Sequence, residues 1–547
     1  MKERTLFIIV ITSLFAFKAL IAQDKTYYLS QTGEDTNDGL TLKTAWRTLD
    51  KINNFNFKPG DSLMLEGGIE FRGTIKLTSD DNGLPGRPLV ITSSGKKKAT
   101  INAGDGEGLL AANTSFLKIV SLQFEGSGIA TNKGSGIHVY ANDSIIAPTD
   151  VEIINCDVKG FNSFGIGFGA NDKISHKGYQ NVRITHCNVS ENGQAGISSY
   201  GSQLGFQHRN FYIANCKVFQ NRGIPSKTEN HSGNGIVMAM IDGLLIENCE
   251  AFKNGSDNRC TAGGPVGIWV WMCKNAIIQY CVSHDNYAGL TKDGGGFDID
   301  GGASNCILQY NYSYNNEGAG YLLAEFGAMF PFANNIVRFN ISVNDGRKNG
   351  YGAISIWGAA KQYSVTNTYI YNNTIYVDDR KVVNGKPAAI TLLGPHFSNV
   401  VVANNVIATK GNVNMINADT PVKESAFLLL HNNYFSYNNQ YSFQYGEKKF
   451  NSLQAWFKEN PTQEKLQEKS LWMNLNPLFK EQKNLTDLSA KNPGEYFRKG
   501  LVLLPGSPLR KKPFELGDHF NILSNTKDYC NNELNPDGNV LPGACTR

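Results

Sequence analysis

A short alternating strand pattern returns about every 30 residues of this chain and sets what it can fold into. The segments "VEIINC", "VRITHC", "FYIANC", "LLIENC" and "AIIQYC" end at Cys156, Cys187, Cys216, Cys249 and Cys281, at steps of 31, 29, 33 and 32 residues. The series continues with asparagine in that place, at Asn311, Asn340, Asn373, Asn405 and Asn433, at steps of 30, 29, 33, 32 and 28. A period held over ten copies is the mark of an architecture in which each unit packs only on its neighbours.

Each copy holds a second strand with its own glycine: "SGIHVYA", "FGIGFGA", "AGISSYG", "NGIVMAM", "VGIWVWM", "GGFDIDG" and "AGYLLAE". Strict alternation buries one face and leaves the other wet, and no copy carries a long helical pattern. Two or three short strands per unit, turning and stacking, describe an all-β parallel β-helix of about ten or more coils. An Asn or a small Cys at one turn of every coil stacks in a ladder, so the evenly spaced cysteines read as buried structural positions. Cys530 and Cys545, in a short polar tail, are the candidate disulfide. The 56 glycines against 18 prolines favour tight turns over helices.

The ends of such a solenoid need covers. "TAWRTLDKINN" (44–54) reads as a short amphipathic helix with Trp46, Leu49 and Ile52 on one face, capping the N-terminal end before "KPGDSLMLEGG" opens the first coil. The repeat fades near residue 440, and "SLQAWFKENPTQEKLQEKSLW" (452–472) reads as a helix-containing excursion. The expected organisation is therefore a signal peptide over 1–22, the helix with its N-terminal cap over 23–440, and the last coils with a C-terminal cap over 441–547. The signal peptide is read from basic residues, an apolar run from Leu6 to Phe17, and Ala22 before Gln23; the run is shorter than a membrane span needs. This predicts a bacterial protein, secreted or periplasmic, monomeric and without a membrane span. A net charge of +4 and no basic cluster exclude nucleic acid as the partner.

Reactive groups are expected where the repeat breaks its own pattern. In the glycine strands the residue after Gly points inward and the next outward. The outward face then carries His138 and Tyr140, Tyr200, Trp269 and Trp271, and Asp298 and Asp300. Outward tryptophans suit the stacking of sugar rings. The stretch "KDGGGFDIDGG" adds Lys292 and Asp293, and the preceding loop adds His284. Aligning Gly295 on Gly320 sets Glu325 directly beside Asp300, about 4.8 Å away, which suits the carboxyl pair of a retaining glycosidase. A diagonal Asp298–Glu325 pair suits inversion. The other register, Gly296 on Gly320, carries Glu325 to the strand end with the opposite parity. Asp293, Asp298 and Asp300 also form a candidate Ca²⁺ set, because oxygen ligands in a Gly-rich loop are what that ion prefers.

With the "TAWRTLDKIN" cap, the Asn/Cys ladder and the export signal in view, residues 25–510 resemble the pectate-lyase-like right-handed parallel β-helix superfamily of secreted polysaccharide-degrading proteins. "FDIDGG" followed one coil later by "GYLLAEF" is similar to β-helix glycoside hydrolases, β-xylosidase-like families among them. That resemblance implies a right-handed coil, a polysaccharide or oligosaccharide substrate, and catalytic acids at Asp300 or Asp298 and at Glu325; their places on the outward face and beside the aspartate strand make His138, Tyr140, Tyr200, Trp269, Trp271, His284 and Lys292 the candidate substrate-binding residues. No cofactor is required for hydrolysis. The same superfamily holds Ca²⁺-dependent lyases, which remove a uronate proton with Lys or Arg; Lys292 and Lys274 are the nearest such groups. A non-catalytic glycan-binding β-helix is the third class.

Overall fold

A computed structural model describes residues 23–142, 146–170, 177–202, 205–423, 425–480, 501–517, 527–534 and 538–545. The expected signal peptide lies outside these residues. The chain winds as a right-handed parallel β-helix. Three sheets of fourteen, thirteen and fourteen strands run its length; each strand of a coil pairs in parallel with its equivalent in the next, and only the last pair of the third sheet, Phe443–Tyr445 with Lys448–Phe450, is antiparallel. The first sheet begins at Thr26–Leu29, the second at Glu70–Arg72 and the third at Ile75–Leu77. The first strand thus precedes the coil that "DSLMLE" had been read to open, and pairs with it, Leu29 beside Leu65.

The repeat maps onto the turn between the first and second sheets. Cys156, Cys187, Cys216, Cys249 and Cys281 are free and buried there, each thiol on a carbonyl of the preceding coil, as Cys187 on Ile153 at 3.7 Å. Asparagine then takes over. The Asn340 amide donates to Leu308 O at 2.9 Å and to Asn373 Oδ1 at 3.1 Å, and its Oδ1 accepts from the Asn311 N–H at 2.9 Å and side chain at 3.2 Å. The ladder ends Asn405, Asn432, Glu464, so Asn432 and not Asn433 is its member. The reason is local: the residue before each ladder position, Asn155, Asn215, Asn372, Asn404 and His431 among them, takes the left-handed conformation with φ of 51 to 58°. The left-handed turn belongs to that residue, while the ladder side chain turns inward to satisfy buried backbone groups.

A second ladder lies between the second and third sheets: Asn192, Asn221, Asn254, Asn286, Asn316 and Asp345, linked side chain to side chain at 2.8 to 3.1 Å. Its members follow the first ladder by five residues, a regularity present in the sequence. This ladder and the serines bonded to it leave no room for a side chain at the glycine near the start of several third-sheet strands. A Cβ on Gly296 would stand 2.3 Å from Ser313 Oγ, and one on Gly267 would stand 2.1 Å from Ser283 Oγ.

Both ends are closed. Helix Leu49–Asn53 buries Leu49 and Ile52, with Trp46 buried just before it and bridged to Leu29. Helix Leu453–Glu459 lays Trp456 on Phe443 of the last coil, centroids 5.1 Å apart. The tail folds back along the solenoid: Asn372 donates to Leu541 O and Asn404 to Val540 O, and Cys530 is bonded to Cys545.

Candidate active site

The third sheet carries the glycine strands, and the unusual side chains converge on strand Gly295–Asp300. On one side Trp269 lies opposite Asp298 and Trp271 opposite Asp300. On the other, Phe297 pairs with Tyr321, Asp298 with Leu322 and Ile299 with Leu323. This is the Gly296-on-Gly320 register, so the expected stacking of Glu325 on Asp300 does not form. Packing decides it. The inward rings of Phe297 and Tyr321 stack at 5.3 Å, 6° from parallel, and Tyr321 Oη donates to buried carbonyls of Asn311 and Ile341. The other register would turn this tyrosine outward and cost the core its ring.

Glu325 therefore ends its strand on the inward side, fully buried. Its Oε1 accepts from the N–H groups of Gly327 (2.6 Å) and Ala328 (3.0 Å), and its Oε2 from Gly302 N–H (3.2 Å). It ties loop 326–330 to the end of the aspartate strand. That loop leaves Phe326 and Met329 about half exposed and stacks Phe330 on Phe206 at 5.0 Å. Gly301 and Gly302 permit the approach, since a Cβ on either would run into Phe326, Ala328 or Phe330.

The three aspartates differ sharply in environment. Asp298 is 2% exposed, and its Oδ1 is buried with no hydrogen-bond partner. Asp300 is partly exposed and accepts from Gly301 N–H at 2.8 Å. Asp293, in a left-handed turn with φ of 54°, is also partly exposed, and Tyr351 Oη donates to its Oδ1 at 2.7 Å. Burial, then the charges of Asp300 and Asp293, hold Asp298 well above the ordinary carboxylate range. Burial, then Asp293 and Glu325, do the same to Asp300, against the Gly301 N–H. Burial also raises Asp293, opposed by the Tyr351 hydroxyl, a backbone N–H and Lys292. Burial and crowding of this kind favour the neutral form of these carboxyls.

Of the aromatic candidates, Trp271 is partly exposed, but Trp269 is 4% exposed. Its Nε1 donates to Asn234 Oδ1 at 3.1 Å and its ring lies 5.5 Å from His231. The loop reaching from the preceding coil covers it, so it supports the trough rather than lining it. His138, Tyr140 and Tyr200 share the outward face farther along the sheet, with His138 Nε2 2.9 Å from Tyr200 Oη. His284 is elsewhere: strand Val282–His284 belongs to the second sheet, where its ring stacks between Phe252 and Tyr314 and pairs with Asp285 and Glu250. Lys274 lies in the first sheet, on strand Lys274–Gln279. Lys292 Nζ sits 5.7 Å from the Trp357 ring. Tyr351 and Trp357 were not foreseen, although "AISIWG" repeats the glycine-strand pattern with tryptophan at an outward position.

The candidate Ca²⁺ set does not assemble. Among the described residues no three His, Cys, Asp or Glu side chains are grouped so as to hold a metal ion. Asp293 is engaged by Tyr351, and Asp298 lies beneath the surface. A set with one carboxyl held by a tyrosine hydroxyl and another beneath the surface does not fit the six to eight oxygens that Ca²⁺ takes.

Fold and site together define a right-handed parallel β-helix with an acidic, aromatic-walled trough on one sheet. Residues 135–337 match the family model described as "Right handed beta helix region". The chain is 25% identical over 452 residues to the lacto-N-biosidase of Bifidobacterium longum subsp. longum, covering 64% of this chain and 27% of the relative. It therefore spans about a quarter of that protein's length. In three dimensions it is similar to the GH136 lacto-N-biosidase of Eubacterium ramulus, with a TM-score of 0.53 and 20% identity over 68% of both chains; this shows the shared fold. No helix among the described residues is long and apolar enough to cross a membrane.

Proposed function

We propose that the protein is an exported glycoside hydrolase that cleaves a glycosidic bond of an oligosaccharide or polysaccharide at the trough of the third sheet. The observation that carries this is the pair of partly exposed carboxyls, Asp293 and Asp300: the charge of Asp293 raises Asp300, and Asp300 lies opposite Trp271. Asp300, held well above the ordinary carboxylate range by burial and by Asp293 and Glu325, supplies the proton to the leaving oxygen. Asp293, whose charged form is favoured by the Tyr351 hydroxyl, is the carboxylate partner. Two carboxyl groups whose surroundings separate their proton affinities are what acid-assisted glycoside cleavage requires. Asp298, between them on the chain, is a further carboxyl whose charged form burial disfavours. Similarity to the lacto-N-biosidase supports a β-helix hydrolase and makes lacto-N-biosides the first substrates to test. Capping of both ends by the chain's own helices supports a monomer.

The test is a reducing-sugar screen over lacto-N-biosides and over plant and algal polysaccharides, with and without chelator. Release of reducing sugar that survives chelation is the expected result. An unsaturated, ultraviolet-absorbing product, or chelator-sensitive activity, would replace hydrolysis with elimination; retention of glycan without release would leave a binding protein. Asp300→Asn should cost about 10² to 10⁴ in turnover on natural linkages but much less on aryl glycosides whose leaving group needs no proton. Asp293→Asn should abolish both.

A further inference from the structure

We propose that Tyr140, Phe164 and Tyr200 form a distal subsite for a glycan chain that runs along the coil axis and ends at Asp300. This rests on the reading of the trough as a glycosidase site. The strand Phe164–Ala170 places glycine at both of its central outward positions, Gly167 and Gly169. These bare positions are a floor on which rings lie down. A Cβ on Gly169 would stand 2.3 Å from Tyr200 Oη, and one on Gly167 would stand 2.8 Å from the Phe164 ring. Phe164 and Tyr200 stack over this floor at 5.9 Å and 25°. Tyr140, in register with Gly169, flanks it through His138, whose ring is 5.3 Å from Tyr140 and 6.1 Å from Tyr200. The tyrosine hydroxyl bonded to His138 fixes the ring's tilt.

Partly exposed rings stacked over a glycine floor are a poor arrangement for a core and a good one for the apolar face of a sugar. The platform is continuous with the acidic site. Phe164 and Trp271 pack against one apolar cluster of Ala195, Val237, Val266 and Trp269, and Trp271 lies beside Asp300. Three strand spacings separate the strand of Tyr200 from that of Asp300, roughly 14 Å. That is several sugar rings, so the occupant is an extended oligosaccharide and the proposal selects long chains over short glycosides.

Two measurements test this on the full-length protein. The first is retention of the screened glycans in affinity electrophoresis by Asp300→Asn, alone and combined with Tyr200→Ala or Tyr200→Phe. The second is the ratio of kcat/KM for a long glycan to that for an aryl glycoside, in the wild type and in Tyr200→Ala. The double variant with alanine should lose retention at least tenfold, and Tyr200→Phe, which keeps the ring, should restore most of it. The long-to-short ratio should fall about tenfold in Tyr200→Ala. Retention or a ratio that stays within twofold overturns the subsite even if hydrolysis is found, as does a panel in which no glycan is retained. Retention that depends on Tyr200 without any hydrolysis supports the platform and removes the hydrolase reading.

Discussion

Replacing Glu325 by glutamine separates two roles for the most deeply buried acid near the trough. The carboxylate takes three backbone N–H bonds, at 2.6, 3.0 and 3.2 Å. Bonds to a charged acceptor are worth about 1.5 to 3 kcal/mol each, against about 1 for neutral ones. Glutamine's oxygen can keep Gly327 and Ala328, but its amide then faces the Gly302 N–H, donor against donor. The weakened pair and the orphaned donor together loosen the loop by about 2 to 4 kcal/mol. The expected outcome is faster hydrogen exchange at the amides of 326–330 and a fall in kcat/KM of no more than about tenfold, worth ~1.4 kcal/mol in the barrier. The pH–rate profile keeps both limbs. The assay is kcat/KM against pH, read beside hydrogen exchange. A hundredfold loss of kcat with the acid limb gone and the loop's protection unchanged would make Glu325 the proton donor, and the exposure argument that assigns this role to Asp300 would be wrong.

Three further outcomes follow from the structure. Asp298 has a folded proton affinity above its unfolded one, so its contribution to stability is present at low pH and is lost as pH rises from the ordinary carboxylate range through the raised folded value. Asp298→Asn should therefore raise the denaturation midpoint at neutral pH, by ~1.4 kcal/mol for each pH unit separating the two values, with the gain vanishing at pH 3. Glu464, which caps the asparagine ladder, is pushed up to about 7 by burial. The same sign applies, so stability should fall by about 3 kcal/mol between pH 4 and 8, and Glu464→Gln should flatten that slope in a denaturant titration. Asn340→Ala removes four ladder bonds and strands the Asn311 N–H and Leu308 carbonyl. It should cost about 3 to 5 kcal/mol in chemical denaturation; a cost under 1 would mean that water replaces the ladder.

The regularities of the solenoid were written along the chain because they are repetitive. A Cys or Asn every 30 residues, and a glycine before every outward-facing strand, report constraints that each coil meets in the same way. The fold class, the capping helices, the buried thiols and the Cys530–Cys545 bond were readable from them. So was the membership of Asp298, Asp300 and Trp271 in one outward face, since alternation on a strand is a local property. The second asparagine ladder, five residues behind the first, was equally legible and was overlooked.

What only the tertiary structure decided is where neighbouring coils meet. A slip of one residue between "GGFDID" and "GYLLAE" exchanges every inward side chain for an outward one, and pattern alone permits both. The stacking of Phe297 on Tyr321 chose the register and sent Glu325 into a loop staple. Burial of Trp269 beneath the loop bearing His231, the assignment of His284 to another sheet, and the meeting of Tyr351 with Asp293 from two coils away depend on contacts between residues 30 to 58 apart. Alternation tells a side chain which face it takes; only packing across coils tells it what stands above, and that is what separates a reactive carboxyl from a structural one.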